Sequence, residues 1–204
     1  MLELNKLYNM DCMEGMKQFP DKYFGLSIVD PPYGIGDKFK GGKTGKINFN
    51  EIVNKEWDNV PNQDYFKELF RVSKNQVIWG GNYFNLPPTR CFIVWDKMIS
   101  EDFSLAMCEL AWTSFDKLAK IYKLYNPKDF KIHPTQKPVK LYGWLLKNYA
   151  KQGDKILDTH VGSASSLIAC HNYGFDYIGF EVDKDYYAAA QARLDAVKAQ
   201  VSLF

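Results

Sequence analysis

Residues 155–183 read KILDTHVGSASSLIACHNYGFDYIGFEVD, and the order of residue types in this stretch decides the fold class. A short apolar run ends at Asp158, small residues follow as far as Ser165, an apolar helical segment reaches a turn at Gly174, and a second apolar run ends at Glu181. Strand, helix and parallel strand in so short a span make a right-handed crossover, so the expected class is α/β. Both strand ends carry acids. Small residues beside Asp158 let a ligand approach the backbone, and an acid such as Glu181 at the next strand end can take both hydroxyls of a ribose. The pair describes a nucleoside pocket at the carboxyl ends of parallel strands. Taken alone, an ordinary strand-to-helix turn and a solvated Glu181 fit the same residues.

Working outward, residues 23–29 read as a strand that runs into DPPYG at 30–34. Proline cannot donate to a sheet ladder, so that strand must stop near Asp30 and leave a carboxylate, carbonyls and a phenol ring at its tip. Helices are expected over 11–19, 62–72, within 134–149, and from 184 to about 201 with Asp183 as its cap. Further strands are expected over 4–10, 76–79, 91–95 and 109–115. Residues 34–61 are polar, glycine-rich and long for a loop, which is the mark of a functional segment.

Length and composition bound the rest. A chain of 204 residues, 46% hydrophobic and 25% charged, holds one substantial core, and a single domain over 1–204 is expected. No apolar run approaches the roughly 20 residues of a membrane helix, and the start of the chain lacks a signal pattern, so a soluble, intracellular protein with no membrane partner is expected. Four dispersed cysteines read as free thiols, and with the three histidines they complete no metal-ligand spacing. The net charge of +2 conceals two basic patches: residues 36–46 hold four lysines against one aspartate, and residues 116–140 hold seven against two.

DPPY at 30–33, HPTQKP at 133–138, the loop 158–165 and Glu181 stand in an order that resembles the amino-group DNA methyltransferases of the permuted β class, over most of the chain. The resemblance implies a Rossmann-like class I methyltransferase fold, a mostly parallel sheet with helices on both faces, in circularly permuted motif order. It implies S-adenosylmethionine as methyl donor, S-adenosylhomocysteine as product and no metal. It places Asp11, Cys12, Asp30, Thr135, Lys137, Asp158, His160, Gly162, Ser163, Ser165 and Glu181 around the cofactor, with Asp11 and Cys12 at the adenine end, Glu181 on the ribose, and Thr135 and Lys137 toward the methionine carboxylate. It also implies duplex DNA as partner, a homodimer, and a cytoplasmic protein of bacterial or phage origin. The segment 115–132 stands where the family carries its target-recognition region, and it is short. The chain departs from the family's cofactor loop at Thr159, His160 and Ala164, the last in a place where glycine is expected.

The chemistry follows from residue types at 30–33. An exocyclic amine is a poor nucleophile because its lone pair is delocalised into the ring. Asp30 and the Pro31 carbonyl are two acceptors able to take its hydrogens, Pro32 stiffens the turn, and Tyr33 offers a face for a flipped base. Lys38, Lys40, Lys43 and Lys46 follow directly and suit phosphate contacts that carry no sequence information, or simply keep a loop solvated. Trp79, Tyr83 and Phe84 fit either the pocket wall or the core. Adenine N6 is the expected target; cytosine N4, an RNA amine, and a binding module without catalysis are the alternatives.

Overall fold

The computed structural model describes residues 1–34, 43–44, 47–48, 59–102, 106–126, 132–133 and 135–201. The described residues hold ten strands: β1 (Lys6–Tyr8), β2 (Phe24–Val29), β3 (Lys43–Thr44), β4 (Ile47–Asn48), β5 (Ser73–Trp79), β6 (Phe92–Asp96), β7 (Cys108–Thr113), β8 (Lys120–Lys123), β9 (Lys155–Asp158) and β10 (Asp176–Phe180). The α-helices are α1 (Cys12–Met16), α2 (Gln63–Val72), α3 (Val139–Tyr149), α4 (Ser165–Asn172) and α5 (Lys184–Val201). β3 and β4 form a small antiparallel ladder of their own. The other eight strands make one sheet in the order β1-β10-β9-β2-β5-β7-β6-β8. β1, β10, β9, β2 and β5 pair in parallel, and β7 alone runs against its neighbours.

Alternation along the strands sorts side chains onto two faces. Leu26, Ile28, Val77, Trp79 and Ile156 pack with α3, α4 and α5 through Leu141, Leu145, Leu167, Ile168 and Leu194. Val29, Ile78, Leu157 and Ile178 pack with α1 and α2 through Met16, Tyr65, Phe66 and Leu69. The result is the three-layer arrangement expected of a Rossmann-like chain. The expected cap is present, Asp183 accepting from Asp185 and Tyr186 N–H; Asp11 likewise accepts from Met13 and Glu14 N–H, and Asn62 from Tyr65 N–H.

β9 leads through α4 to β10 on one side, whereas β2 leads through α2 to β5 on the other. The crevice between β9 and β2 is therefore the topological switch point, where the connections part and open sheets of this kind bind ligands. The first strand, β1, lies against β10 from the far end of the chain, as the reading of residues 4–10 requires.

Two expectations need correction. β5 starts at Ser73, directly after α2, rather than at 76. The segment 115–132, read as standing in place of a target-recognition region, is in part sheet, because residues 120–123 are β8, the edge strand of the main sheet. An edge strand flanked by lysines has little apolar alternation to reveal it. No helix among the described residues is long and apolar enough to cross a membrane.

Gly179 marks how tightly β10 is covered, since a Cβ there would stand 2.6 Å from both Leu167 and Val161. Gly179→Ala should cost about 1–3 kcal/mol by overpacking, seen as a lower urea midpoint at unchanged slope; an unchanged midpoint would show that this layer has slack.

Candidate active site

The tip of β2 is built as its prolines demand. The strand stops at Val29, Pro31 is buried, and Asp30 projects into the crevice with both oxygens engaged. Tyr33 OH donates to Oδ1 at 2.6 Å, and Lys137 Nζ pairs with Oδ2. The Tyr33 ring stacks on Tyr83 with centroids 4.9 Å apart and planes 16° apart, and meets Phe84 edge-on at 6.0 Å. Gly80 makes this possible: its φ is +67°, and a Cβ would fall 2.1 Å from Tyr33 Cε1. Of the three aromatics read from sequence, Tyr83 and Phe84 thus touch Tyr33. Trp79 is fully buried, with Lys137 Nζ 5.2 Å from its ring.

One strand away, β9 ends at Asp158, which is 2% exposed. Its Oδ1 accepts from His160 N–H at 3.0 Å and its Oδ2 from the Ser166 hydroxyl. Burial pushes this carboxyl up to about 7; those two hydrogen bonds pull the other way, and the charges of Asp30 and Glu181 add to the rise. His160 is driven down to about 4 by burial, so its ring is neutral at neutral pH. The ring is fixed by Thr159 Oγ1 at 2.9 Å from Nδ1, and Thr159 is held in turn by Tyr65 OH at 2.6 Å.

The loop then passes Gly162, at φ +55°, where a Cβ would stand 3.5 Å from the His133 ring. Gly162 N–H donates to Glu181 Oε2 at 2.8 Å, and Asp183 N–H donates to Oε1 at 3.0 Å. Burial raises the Glu181 carboxyl in spite of these bonds. Ala164, where the resemblance leads to glycine, adopts φ +61°, a left-handed conformation that glycine takes without strain, at a cost of about 1–2 kcal/mol. Ser163 and Ser165 are buried; their hydroxyls lie 3.1 Å apart, and Arg193 of α5 donates to the Ser163 carbonyl and the Ser165 hydroxyl.

β1 brings Asp11 and Cys12 to the same end of the sheet, where Asn9 Nδ2 ties its tip to the Glu181 carbonyl at 2.8 Å. The Cys12 thiol is pushed up to about 12 by burial and by Asp11, so it is no thiolate nucleophile. Thr135 is exposed, with its hydroxyl 3.1 Å from His133 Nδ1. Lys137 departs from its expected surroundings: it is 3% exposed at the side chain and lies between Asp30 and Glu109 Oε2, the latter at 3.1 Å. Lys38, Lys40 and Lys46 lie outside the described residues, and Lys43 is placed only as part of β3.

Sequence reading missed Glu109, Lys97, Tyr65, Ser166 and Arg193. Glu109 left a usable trace as an acid inside the apolar strand CELAWT. Ser166 and Arg193 left none, because a serine in a helix and an arginine on a charged helix are ordinary.

Comparisons with known proteins bear on residues and fold separately. Residues 94–192 match the model of the N6_N4_Mtase family, described as DNA methylase. Type II methyltransferase M.HpaI of Haemophilus parainfluenzae is 38% identical over 72 residues, which are 35% of this chain and 23% of that protein. YubD of Escherichia coli (strain K12), a candidate methylase, is 24% identical over 221 aligned positions, covering 96% of this chain and 92% of YubD. Among solved structures, the M1.HpyAVI–SAM complex superposes with a TM-score of 0.61 at 19% identity, covering 93% of this chain and 98% of that one. The cytosine-N4-specific PvuII DNA methyltransferase superposes with a TM-score of 0.64 at 14% identity, covering 95% and 90%. Residues 94–192 are therefore similar in sequence to the N6/N4 DNA methylases, and the chain shares the Rossmann-like fold of the solved methyltransferases.

Proposed function

We propose that this protein transfers a methyl group from S-adenosylmethionine to the N6 amine of an adenine turned out of duplex DNA. The observation that carries the reading is the placement of Asp30 and the Pro31 carbonyl at the tip of β2, one strand from the acidic loop of β9 and β10. Two acceptors side by side can take both hydrogens of an exocyclic amine and localise its lone pair. Proline holds one acceptor still through its fixed φ. Tyr33, locked by Asp30 and flanked by Tyr83, offers a flat face for the unstacked base.

The crevice beside β9 fits the donor's chemistry. A left-handed glycine under the His133 ring leaves room at the backbone, His160 offers a flat uncharged ring, and Glu181 at the tip of β10 suits ribose hydroxyls. Bound there, S-adenosylmethionine supplies a methyl group on an electron-poor sulfonium, so the protein's work is positioning and charge stabilisation. Asp11, Cys12, Asp158, Gly162 and the backbone at 163–165 complete this wall, and Thr135 stands at the mouth beside His133. The lysines at 38, 40, 43 and 46 supply the phosphate contacts of the reading.

Duplex DNA methylated by the protein and digested to nucleosides should contain N6-methyladenine. N4-methylcytosine in its place would move the target to cytosine and leave the acceptor argument standing; transfer to structured RNA in preference to DNA, or no methylated nucleoside at all, would overturn the reading. A second outcome concerns Asp158. The folded chain keeps this proton up to about pH 7, whereas an unfolded aspartate releases it near pH ~4, so the cost of ionising it in the core grows as pH rises between those values. The stability of Asp158→Asn relative to wild type should therefore increase from pH ~4 to ~7, by at most about 1.4 kcal/mol per pH unit. Urea unfolding across that range checks it; a constant difference contradicts the raised carboxyl.

A further inference from the structure

Behind Asp30 lies a chain of alternating charges contributed by elements remote in sequence. Lys137 Nζ pairs with Asp30 and with Glu109 Oε2 at 3.1 Å, and Lys97 Nζ, from the end of β6, reaches Glu109 Oε1 at 2.7 Å. The side chain of Lys137 is 3% exposed and that of Asp30 15%, whereas those of Glu109 and Lys97 are 25% and 20% exposed. Asp30, Lys137 and Glu109 sum to one negative charge, and the balancing Lys97 pairs with Glu109 rather than with Asp30, one link further along the chain from the acceptor. Burial opposes the charge of both inner partners of Asp30, yet Lys137 is held above its ordinary range by its two carboxylates, and Glu109 is held at about 2 by its two lysines.

We infer that Glu109, supported by Lys97, is a positioning residue that shares Lys137 with Asp30 and so keeps the inner triad net negative toward the amine. The inference rests on the reading of Asp30 as the amine's acceptor. A lysine serving Asp30 alone would neutralise it and weaken it as an acceptor. Divided between two carboxylates, Lys137 fixes the orientation of Asp30 while leaving it net attraction for positive charge. The amine nitrogen becomes positive as it gains the methyl group and stays so until it sheds a proton, so a preorganised negative field stabilises that charge as it develops. Glu109 lies outside every motif read in the sequence. The arrangement also gives Lys137 work other than binding the cofactor's carboxylate.

The test is a comparison of wild type with Glu109→Gln, Glu109→Asp and Lys97→Met, and with the Glu109→Gln/Lys97→Met double variant. Methyl transfer to duplex DNA and calorimetric binding of S-adenosylmethionine are measured on each. Glu109→Gln should lower kcat by about tenfold or more with cofactor Kd unchanged. Glu109→Asp, which keeps the charge, should retain more of kcat. Lys97→Met should have a smaller effect that vanishes in the double variant, because it acts through Glu109. An unchanged kcat in Glu109→Gln, or a loss confined to cofactor Kd, overturns the inference; if Glu109→Gln does not fold, equal kcat in wild type and in both Glu109→Asp and Lys97→Met does so. A wild-type protein that transfers no methyl group overturns the underlying reading of Asp30 instead.

Discussion

β2 and β9 pair in parallel at the middle of the sheet, and the helices that follow them leave in opposite directions. That single constraint opens the crevice and decides what stands in it. Leu26 pairs with Ile156 and Ser27 with Leu157, so the two strands end in step and their terminal acids, Asp158 on one and Asp30 just past the other, arrive at one rim. β10 and β1 add Glu181 and Asp11 along the same rim because they continue the parallel run. A register shift of one residue in β2 would turn Leu26 and Ile28 to the wrong layer, so the core holds the site in place.

Concentrating acids at one rim is costly, and the protein compensates each in a different way. Asp30 and Glu109 share cations. Glu181 lies between backbone N–H groups of its own loop and of the glycine turn. Asp158 has a serine hydroxyl and one N–H, which do not offset its burial, so its carboxyl is pushed up to about 7. These differences divide the crevice: a hydrogen-bonded wall beside β9 suits a nucleoside, and a wall of paired charges beside β2 suits an amine that becomes cationic.

Much of this was legible in the sequence because it rests on local rules. The crossover at 155–183, the proline stop after Asp30, and the cap at Asp183 depend on residues close in the chain, and each stands where it was read. Ala164 was noticed as a misplaced alanine, and its left-handed backbone is the physical reason. What escaped depends on distant pairing. β8 has only Tyr122 against the core and little apolar alternation to mark it, and the company of Lys137 is set by β7, which no spacing within HPTQKP can reveal. Ser163 and Ser165 were read toward a cofactor, but a long arginine from α5 reaches the Ser163 carbonyl and the Ser165 hydroxyl, and helix-to-loop contacts of that kind leave no periodic trace.

The central claim is that Asp30 acts on the amine while the wall beside β9 and β10 holds the methyl donor. The most direct measurement takes Asp30→Ala and follows, in one preparation, calorimetric binding of S-adenosylmethionine and single-turnover methyl transfer to duplex DNA. Cofactor binding within a few-fold of wild type, with transfer slowed by about 10²–10³ or more, is the predicted result. Transfer at the wild-type rate would contradict it and leave the DPPY turn without a part in the chemistry.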